Sequence, residues 1–124
     1  MPVKVVDASA LAAIVFGEPA AGKVVRQVQG CTLAAPPLLP VEIASVCLKK
    51  LRRYPKQRSE LLAAYRMVER LEINQTEVDL EEAILLAERK GLTIYDAVYL
   101  WLALKLKAPI VTLDKKLAEA GREE

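Results

Sequence analysis

Hydrophobic residues along the chain alternate between short β-branched runs and longer stretches with a helical repeat. The short runs predict strands at residues 4–6, 31–35, 71–73 and 110–112. The longer stretches predict helices at residues 8–14, 20–29, 40–53, 59–71, 80–90 and 94–106, with a short basic helix after Asp114. Buried strands that alternate with helices indicate an α/β domain whose sheet is parallel and covered by helices on both faces.

Local signals mark where several of these helices begin and end. Pro40 suits the first turn of a helix, because no backbone N–H is needed there. Gly91 stands where a glycine commonly ends a helix. Thr93 and Asp96 have the spacing of a capping box at the start of the most apolar helix. A turn at Tyr54-Pro55 makes an αα-hairpin of the two helices on either side.

The length and composition are those of a soluble globular protein. At 124 residues the chain can bury a real core, so we expect residues 1–124 to form a single domain. No apolar stretch is long enough to span a bilayer, which predicts no membrane association. Asp7 comes too early for the core of a signal peptide, so we expect a cytoplasmic protein. The net charge of +2 is too small to indicate a nucleic-acid partner by itself.

The chain contains no histidine, and this absence excludes several kinds of site. A Ser-His-Asp triad, a Cys-His nucleophile and a histidine-ligated zinc site are all ruled out. Cys31 and Cys47 lack CxxC spacing, and two thiolates cannot complete a tetrahedral zinc site. We expect both cysteines to be small buried hydrophobes, because a disulfide would fit only a hyperthermophile cytosol.

Four acidic residues stand at or near predicted helix N-termini: Asp7, Glu42, Asp96 and Asp114. Each has an ordinary explanation, since carboxylates cap helices and favour the positive end of the helix dipole. Asp7 and Asp114, however, also follow predicted strands. The carboxyl ends of parallel strands meet at one edge of a sheet, where ligands bind. We therefore expect the four side chains to form one cluster.

Carboxylates gathered in this way repel one another, and some of their pKa values rise unless a cation neutralises them. Oxygen ligands select magnesium or manganese over zinc. The cluster therefore predicts a site for Mg²⁺ or Mn²⁺, with one or two ions bound.

Four segments of the chain resemble the PIN-domain family, and specifically the VapC-type toxins of bacterial and archaeal toxin–antitoxin pairs. The segments are residues 5–11, 40–46, 93–97 and 110–114. The resemblance implies a three-layer α/β/α PIN-like fold with a short, mainly parallel central sheet. It implies a metal-dependent endoribonuclease that hydrolyses RNA phosphodiester bonds with a metal-activated water. It also implies a homodimer and a cognate antitoxin protein whose tail blocks the active site.

The resemblance assigns roles to individual residues. Asp7, Glu42 and Asp96 match the core metal ligands, and Asp114 matches the fourth, more variable acid. Ser9 and Thr112 match the family's hydroxyl residues that support the acidic cluster. Many relatives carry a further acid just after the fourth, where this chain has Lys115 and Lys116. This departure puts a second metal position in doubt.

Basic side chains are candidates for contacts to the RNA backbone. They are Lys115 and Lys116, close in sequence to the acids, and Lys49, Arg52 and Arg53, at the end of the helix that carries Glu42. The second group also has a structural explanation that involves no RNA, because positive charges are favourable at the negative end of a helix dipole.

Two other functions stay open: a housekeeping RNA-processing PIN nuclease, and a non-catalytic PIN scaffold that binds RNA or protein. A neighbouring antitoxin gene would distinguish a toxin from the housekeeping nuclease. A metal titration would distinguish an enzyme from the non-catalytic scaffold.

Overall fold

In the computed structural model, which describes residues 1–123, four short strands form one parallel sheet. The strands are β1 (Val3–Val6), β2 (Thr32–Ala35), β3 (Ile73–Gln75) and β4 (Ile110–Val111). Their order across the sheet is β3-β2-β1-β4, and every pairing is parallel. All four carboxyl ends therefore lie at the same edge.

Helices cover this sheet and give a three-layer α/β/α arrangement, as the sequence predicts. They are α1 (Ala8–Val15), α2 (Ala21–Val28), α3 (Leu39–Arg53), α4 (Arg58–Val68), α5 (Leu80–Lys90), α6 (Ile94–Leu106) and α7 (Lys115–Arg122). A short 3-10 helix, Pro55–Gln57, joins α3 to α4. None of the helices in residues 1–123 is long and apolar enough to cross a bilayer.

The core is built around α6, whose apolar residues cover nearly its whole circumference. Its buried side chains include Val98, Leu100 and Leu102, which face different directions around the helix axis. They pack in one cluster with the ends of β1 and with α1 and α3. Each fully buried leucine contributes about 1.5–3 kcal/mol to stability. The buried helix therefore holds the backbone of its first turn, which carries Asp96, in a fixed position.

The third strand and the helix before it differ from the prediction. The sequence predicts the strand at residues 71–73, but β3 is Ile73–Gln75. Its position is set by pairing with β2, where Leu33 lies opposite Ile73 and Ala35 opposite Gln75. Helix α4 ends at Val68 rather than at residue 71, and turns at residues 67–71 lead into the strand.

Both cysteines carry free thiols, as expected. Cys47 is buried in α3, with its Sγ 3.8 Å from the carbonyl oxygen of Leu61. Burial raises the pKa of the Cys47 thiol and makes it an unreactive core residue. Cys31, by contrast, is only partly buried, so the expectation of burial is wrong for that residue.

Candidate active site

The four acids occupy the beginnings of four helices. Asp7 directly follows β1 and is the N-cap of α1, while Asp114 lies beyond β4 and is the N-cap of α7. Glu42 and Asp96 lie in the first turns of α3 and α6. The positive ends of the helix dipoles favour carboxylates at these positions. Local helix chemistry and sheet topology thus both place acids at this edge.

Asp7 is the most enclosed of the four and the one charged side chain that residues 1–123 bury, at 5% exposure. Its Oδ1 accepts hydrogen bonds from the backbone N–H of Ala10 (3.0 Å) and from the hydroxyl of Ser9 (2.8 Å). Its Oδ2 accepts one from the hydroxyl of Thr112 (2.5 Å). Burial raises the pKa of Asp7, these hydrogen bonds oppose the rise, and the charge of Asp114 adds to it.

The hydroxyls of Ser9 and Thr112 tie the end of β1 to the chain beyond β4. Ser9 Oγ donates to Asp7 and accepts from the backbone N–H of Leu113 at 2.9 Å. Thr112 Oγ1 donates to Asp7 and accepts from the backbone N–H of Asp114 at 2.9 Å. Because each hydroxyl is engaged as both donor and acceptor, neither is free to act as a nucleophile.

We predict that Thr112→Val destabilises the protein by about 1–3 kcal/mol. The substitution keeps the shape of the side chain but leaves Asp7 Oδ2 and the N–H of Asp114 without their partner. Urea denaturation measures the change. The matched control is Thr32→Val in β2, where no side-chain hydrogen bond is found among the described residues and we expect a change within about 0.5 kcal/mol. Equal effects of the two substitutions would contradict the prediction.

Glu42 is held by Tyr99, which was not predicted from the sequence to belong to the site. The hydroxyl of Tyr99 donates to Glu42 Oε1 at 2.6 Å. Burial raises the pKa of Glu42, the hydrogen bond from Tyr99 opposes it, and the charges of Asp7 and Asp96 raise it further. Burial and the Glu42 carboxylate raise the pKa of Tyr99 far above its ordinary value, so its hydroxyl stays protonated and keeps donating.

A sequence signal for Tyr99 was present. It lies three residues after Asp96, so both side chains are on the same face of α6. A buried tyrosine hydroxyl needs a partner, which here is an acid 57 residues away in sequence.

Asp96 is the acid with the most freedom. Its backbone N–H donates to Thr93 Oγ1 at 3.1 Å, as the capping-box pattern predicts. Within residues 1–123 its carboxylate accepts no hydrogen bond. Partial burial raises the pKa of Asp96, the charges of Asp114 and Asp7 raise it further, and the charge of Lys116 lowers it. The four acids are thus electrostatically coupled, and Asp96 is the one whose carboxylate no hydrogen bond from the described residues holds.

The predicted RNA-contacting residues fall into two separate groups. Lys115 and Lys116 begin α7 and are exposed, and the charge of Lys116 acts on Asp96. Lys49, Arg52 and Arg53 are exposed at the far end of α3. Arg52 is ten residues from Glu42 on that helix, or about 15 Å along its axis. Only the first group therefore lies beside the acids.

The donor set has the chemistry of a magnesium or manganese site, although no three acidic or cysteine side chains of residues 1–123 lie in an arrangement that could hold a metal ion. Hydrogen bonds from the described residues engage one oxygen each of Glu42 and Asp114, and none of Asp96. Their other oxygens are open to a ligand. Carboxylate oxygens suit Mg²⁺ and Mn²⁺, and a cation would relieve the repulsion that raises three of the pKa values.

Solved structures similar to this one come from archaea and bacteria. The crystal structure of PAE2754 from Pyrobaculum aerophilum has a TM-score of 0.78 and 26% sequence identity, covering 96% of this chain and 84% of that one. The crystal structure of VapC20 from Mycobacterium tuberculosis, a Sarcin-Ricin loop cleaving toxin, has a TM-score of 0.68. At 16% identity, with 95% of each chain covered, this second likeness shows the fold alone.

Sequence comparison gives a closer relationship. The PIN domain family model matches residues 4–123. The chain is 34% identical over 120 residues to Ribonuclease VapC3 of Pyrobaculum aerophilum, covering 93% of this chain and 92% of that protein. The chain therefore belongs to the PIN domain family, and within it to the VapC-type ribonucleases.

Proposed function

We propose that the protein is an Mg²⁺- or Mn²⁺-dependent endoribonuclease that hydrolyses RNA phosphodiester bonds, and that it is the toxin of a toxin–antitoxin pair. The observation that carries the proposal is the coupling of four carboxylates at the beginnings of four helices. Three of them have raised pKa values and form no ion pair within residues 1–123, and carboxylates perturbed in this way are typical of functional sites. The ribonuclease name of the relative at 34% identity supports the reaction class.

In this proposal Asp7, Glu42, Asp96 and Asp114 hold the ion. When bound, the ion supplies a Lewis acid beside the scissile phosphate and a nucleophilic water at neutral pH. Asp7 is held by its three hydrogen bonds. The Asp96 carboxylate accepts no hydrogen bond within residues 1–123, so a rotation of its side chain would complete the site. Lys116 adds a positive charge beside Asp96, which favours one ion over two.

The chain's own chemistry agrees with hydrolysis by water. There is no histidine to act as a base, and the hydroxyls of Ser9 and Thr112 are fully engaged with the Asp7 network. The site therefore offers neither an imidazole base nor a free hydroxyl nucleophile, which leaves water as the nucleophile that fits its chemistry. Lys115 and Lys116 would contact the phosphates next to the scissile bond. Lys49, Arg52 and Arg53 would reach RNA farther along its backbone.

The test is an RNA cleavage assay with the purified protein. We expect cleavage in Mn²⁺ or Mg²⁺ that leaves 5′-phosphate and 3′-hydroxyl ends and stops in excess chelator. Cleavage that continues undiminished in chelator would overturn metal dependence. RNA binding without cleavage at any metal concentration would instead favour the non-catalytic scaffold.

We propose two protein partners, a second copy of the chain and a cognate antitoxin. Helix α5 exposes Leu80, Ile84 and Leu85 by 56–60%, and such grouped apolar exposure is typical of a surface that another chain covers. A gene for a small antitoxin-like protein beside this one would support the toxin over a housekeeping RNA-processing enzyme.

A further inference from the structure

The hydroxyl of Tyr99 lies where three acid-bearing helices meet. Tyr99 belongs to α6, which carries Asp96, and its hydroxyl donates to Glu42 of α3 at 2.6 Å. The backbone N–H of Ala8, at the start of α1 beside Asp7, interacts with the same oxygen. The ring is 2% exposed and packed within the hydrophobic core. This hydroxyl is therefore a hydrogen-bond donor held by the core beside the acids of three helices.

Glu42 needs such a donor because little else in residues 1–123 holds its side chain. Its carboxylate accepts one hydrogen bond there, from Tyr99, and takes part in no ion pair. The charges of Asp7 and Asp96 push against it. A flexible glutamate under repulsion turns toward solvent unless an attractive contact opposes the movement. A short hydrogen bond to a carboxylate is of the strong, charge-assisted kind.

We propose that Tyr99 is a positioning residue, which holds Glu42 beside Asp7 and Asp96 and leaves Glu42 Oε2 open to a divalent cation. The inference rests on the proposed function, because it concerns the same ion. It assigns Tyr99 no contact with RNA or metal.

A comparison within the chain separates this role from ordinary core packing. Tyr65 on α4 is partly buried and packs against the core, as the fully buried Tyr99 does, yet its hydroxyl makes no hydrogen bond within residues 1–123. The fold thus tolerates a tyrosine hydroxyl without a protein partner. Tyr65→Phe is accordingly a matched control, which removes the same oxygen away from the acids.

The experiment is calorimetric titration of Mn²⁺ into wild type, Tyr99→Phe and Tyr65→Phe. We expect Tyr99→Phe to bind Mn²⁺ about tenfold more weakly, since a residue that orients a metal ligand typically contributes 10–100-fold to affinity. Tyr65→Phe should bind like wild type. In cleavage assays Tyr99→Phe should need more Mn²⁺ for half-maximal rate but approach the wild-type rate at saturation. A purely structural role would leave the Mn²⁺ requirement unchanged.

A second variant shows whether Tyr99 acts through Glu42. In a Glu42→Gln background, adding Tyr99→Phe should change the residual cleavage by less than about twofold, because the two residues act as one unit. Equal Mn²⁺ affinity of wild type and Tyr99→Phe would overturn the inference and leave the proposed function standing. A further loss of cleavage in the Glu42→Gln background as large as in wild type would also overturn it. A wild-type protein that neither binds Mn²⁺ nor cleaves RNA would overturn both.

Discussion

Asp96→Asn is expected to lower metal-dependent RNA cleavage by about 10³-fold or more. The variant loses a ligand of the ion that stabilises charge in the transition state, and the loss of one such electrostatic contact lowers the rate on this scale. The fold should stay intact. The Asp96 carboxylate accepts no hydrogen bond within residues 1–123, so its replacement leaves no donor there unpaired. Its pKa is raised by partial burial and by the charges of Asp114 and Asp7, so a neutral amide removes repulsion. Without metal, the variant should be as stable as wild type or more so.

Asp7→Asn should lose cleavage in the same way, because it removes a charge from the same cluster. Asp79→Asn is the control. Asp79 caps α5 through a 3.0 Å bond from the backbone N–H of Glu82, as Asp7 caps α1, but it is exposed and absent from the coupled acids. Cleavage rates in Mn²⁺ and circular dichroism spectra compare the three variants. Full cleavage by Asp7→Asn or Asp96→Asn would contradict the assignment.

Without metal, the protein is expected to lose stability as the pH rises above the ordinary pKa values of the clustered carboxylates. The pKa values of Asp7, Glu42 and Asp96 are raised above their ordinary values of 3.8, 4.5 and 3.8. The folded state therefore binds protons more tightly than the unfolded state. The free energy of unfolding falls with rising pH wherever the folded state holds more protons than the unfolded state. The stability that these carboxylates contribute is therefore fully present below their ordinary pKa values and is lost as the pH rises through their raised pKa values.

Divalent ions should reverse this loss at neutral pH. Mn²⁺ at about 100 times its dissociation constant adds about 2.7 kcal/mol, or about 10 °C in melting temperature for a domain of this size. Calorimetric melts over a pH series from the ordinary carboxylate pKa values up to neutral pH, with and without Mn²⁺, measure both effects. Asp96→Asn should show a weaker dependence on pH and on the ion. A wild-type melting temperature that rises with pH and does not change on addition of Mn²⁺ would rule out a metal site formed by the four coupled acids.

Helix boundaries were predictable from sequence where the ends depend on local chemistry. α5 and α6 occupy the predicted residues, because the side chains of Asp79 and Thr93 cap their first turns and Gly91 ends α5 in the left-handed conformation at φ 66°. β3 was predicted two residues too early, because Asn74 and Gln75 are poor strand formers on their own. Their pairing with β2, a contact distant in sequence, decides the register.

In the site, too, the features that depend on local sequence were predictable, and those that depend on distant contacts were not. Strand ends and helix beginnings placed the four acids, and family resemblance pointed to Ser9 and Thr112. The hydrogen bond from Tyr99 to Glu42 was not predicted, because it links residues 57 positions apart and no local spacing encodes it. The sequence pattern also does not specify side-chain conformations, and no three acids within residues 1–123 lie in an arrangement that could hold a metal ion.

The pairing of β4 with β1 also fixes when the site can exist during synthesis. Thr112 and Asp7 are 105 residues apart, and at roughly 5–20 residues per second a ribosome needs on the order of 5–20 s to make the chain between them. Until residues 110–114 emerge, Asp7 lacks the hydroxyl of Thr112 and Asp114 is missing from the cluster. A growing chain therefore carries an unfinished site, and the four acids come together only after β4 has docked beside β1.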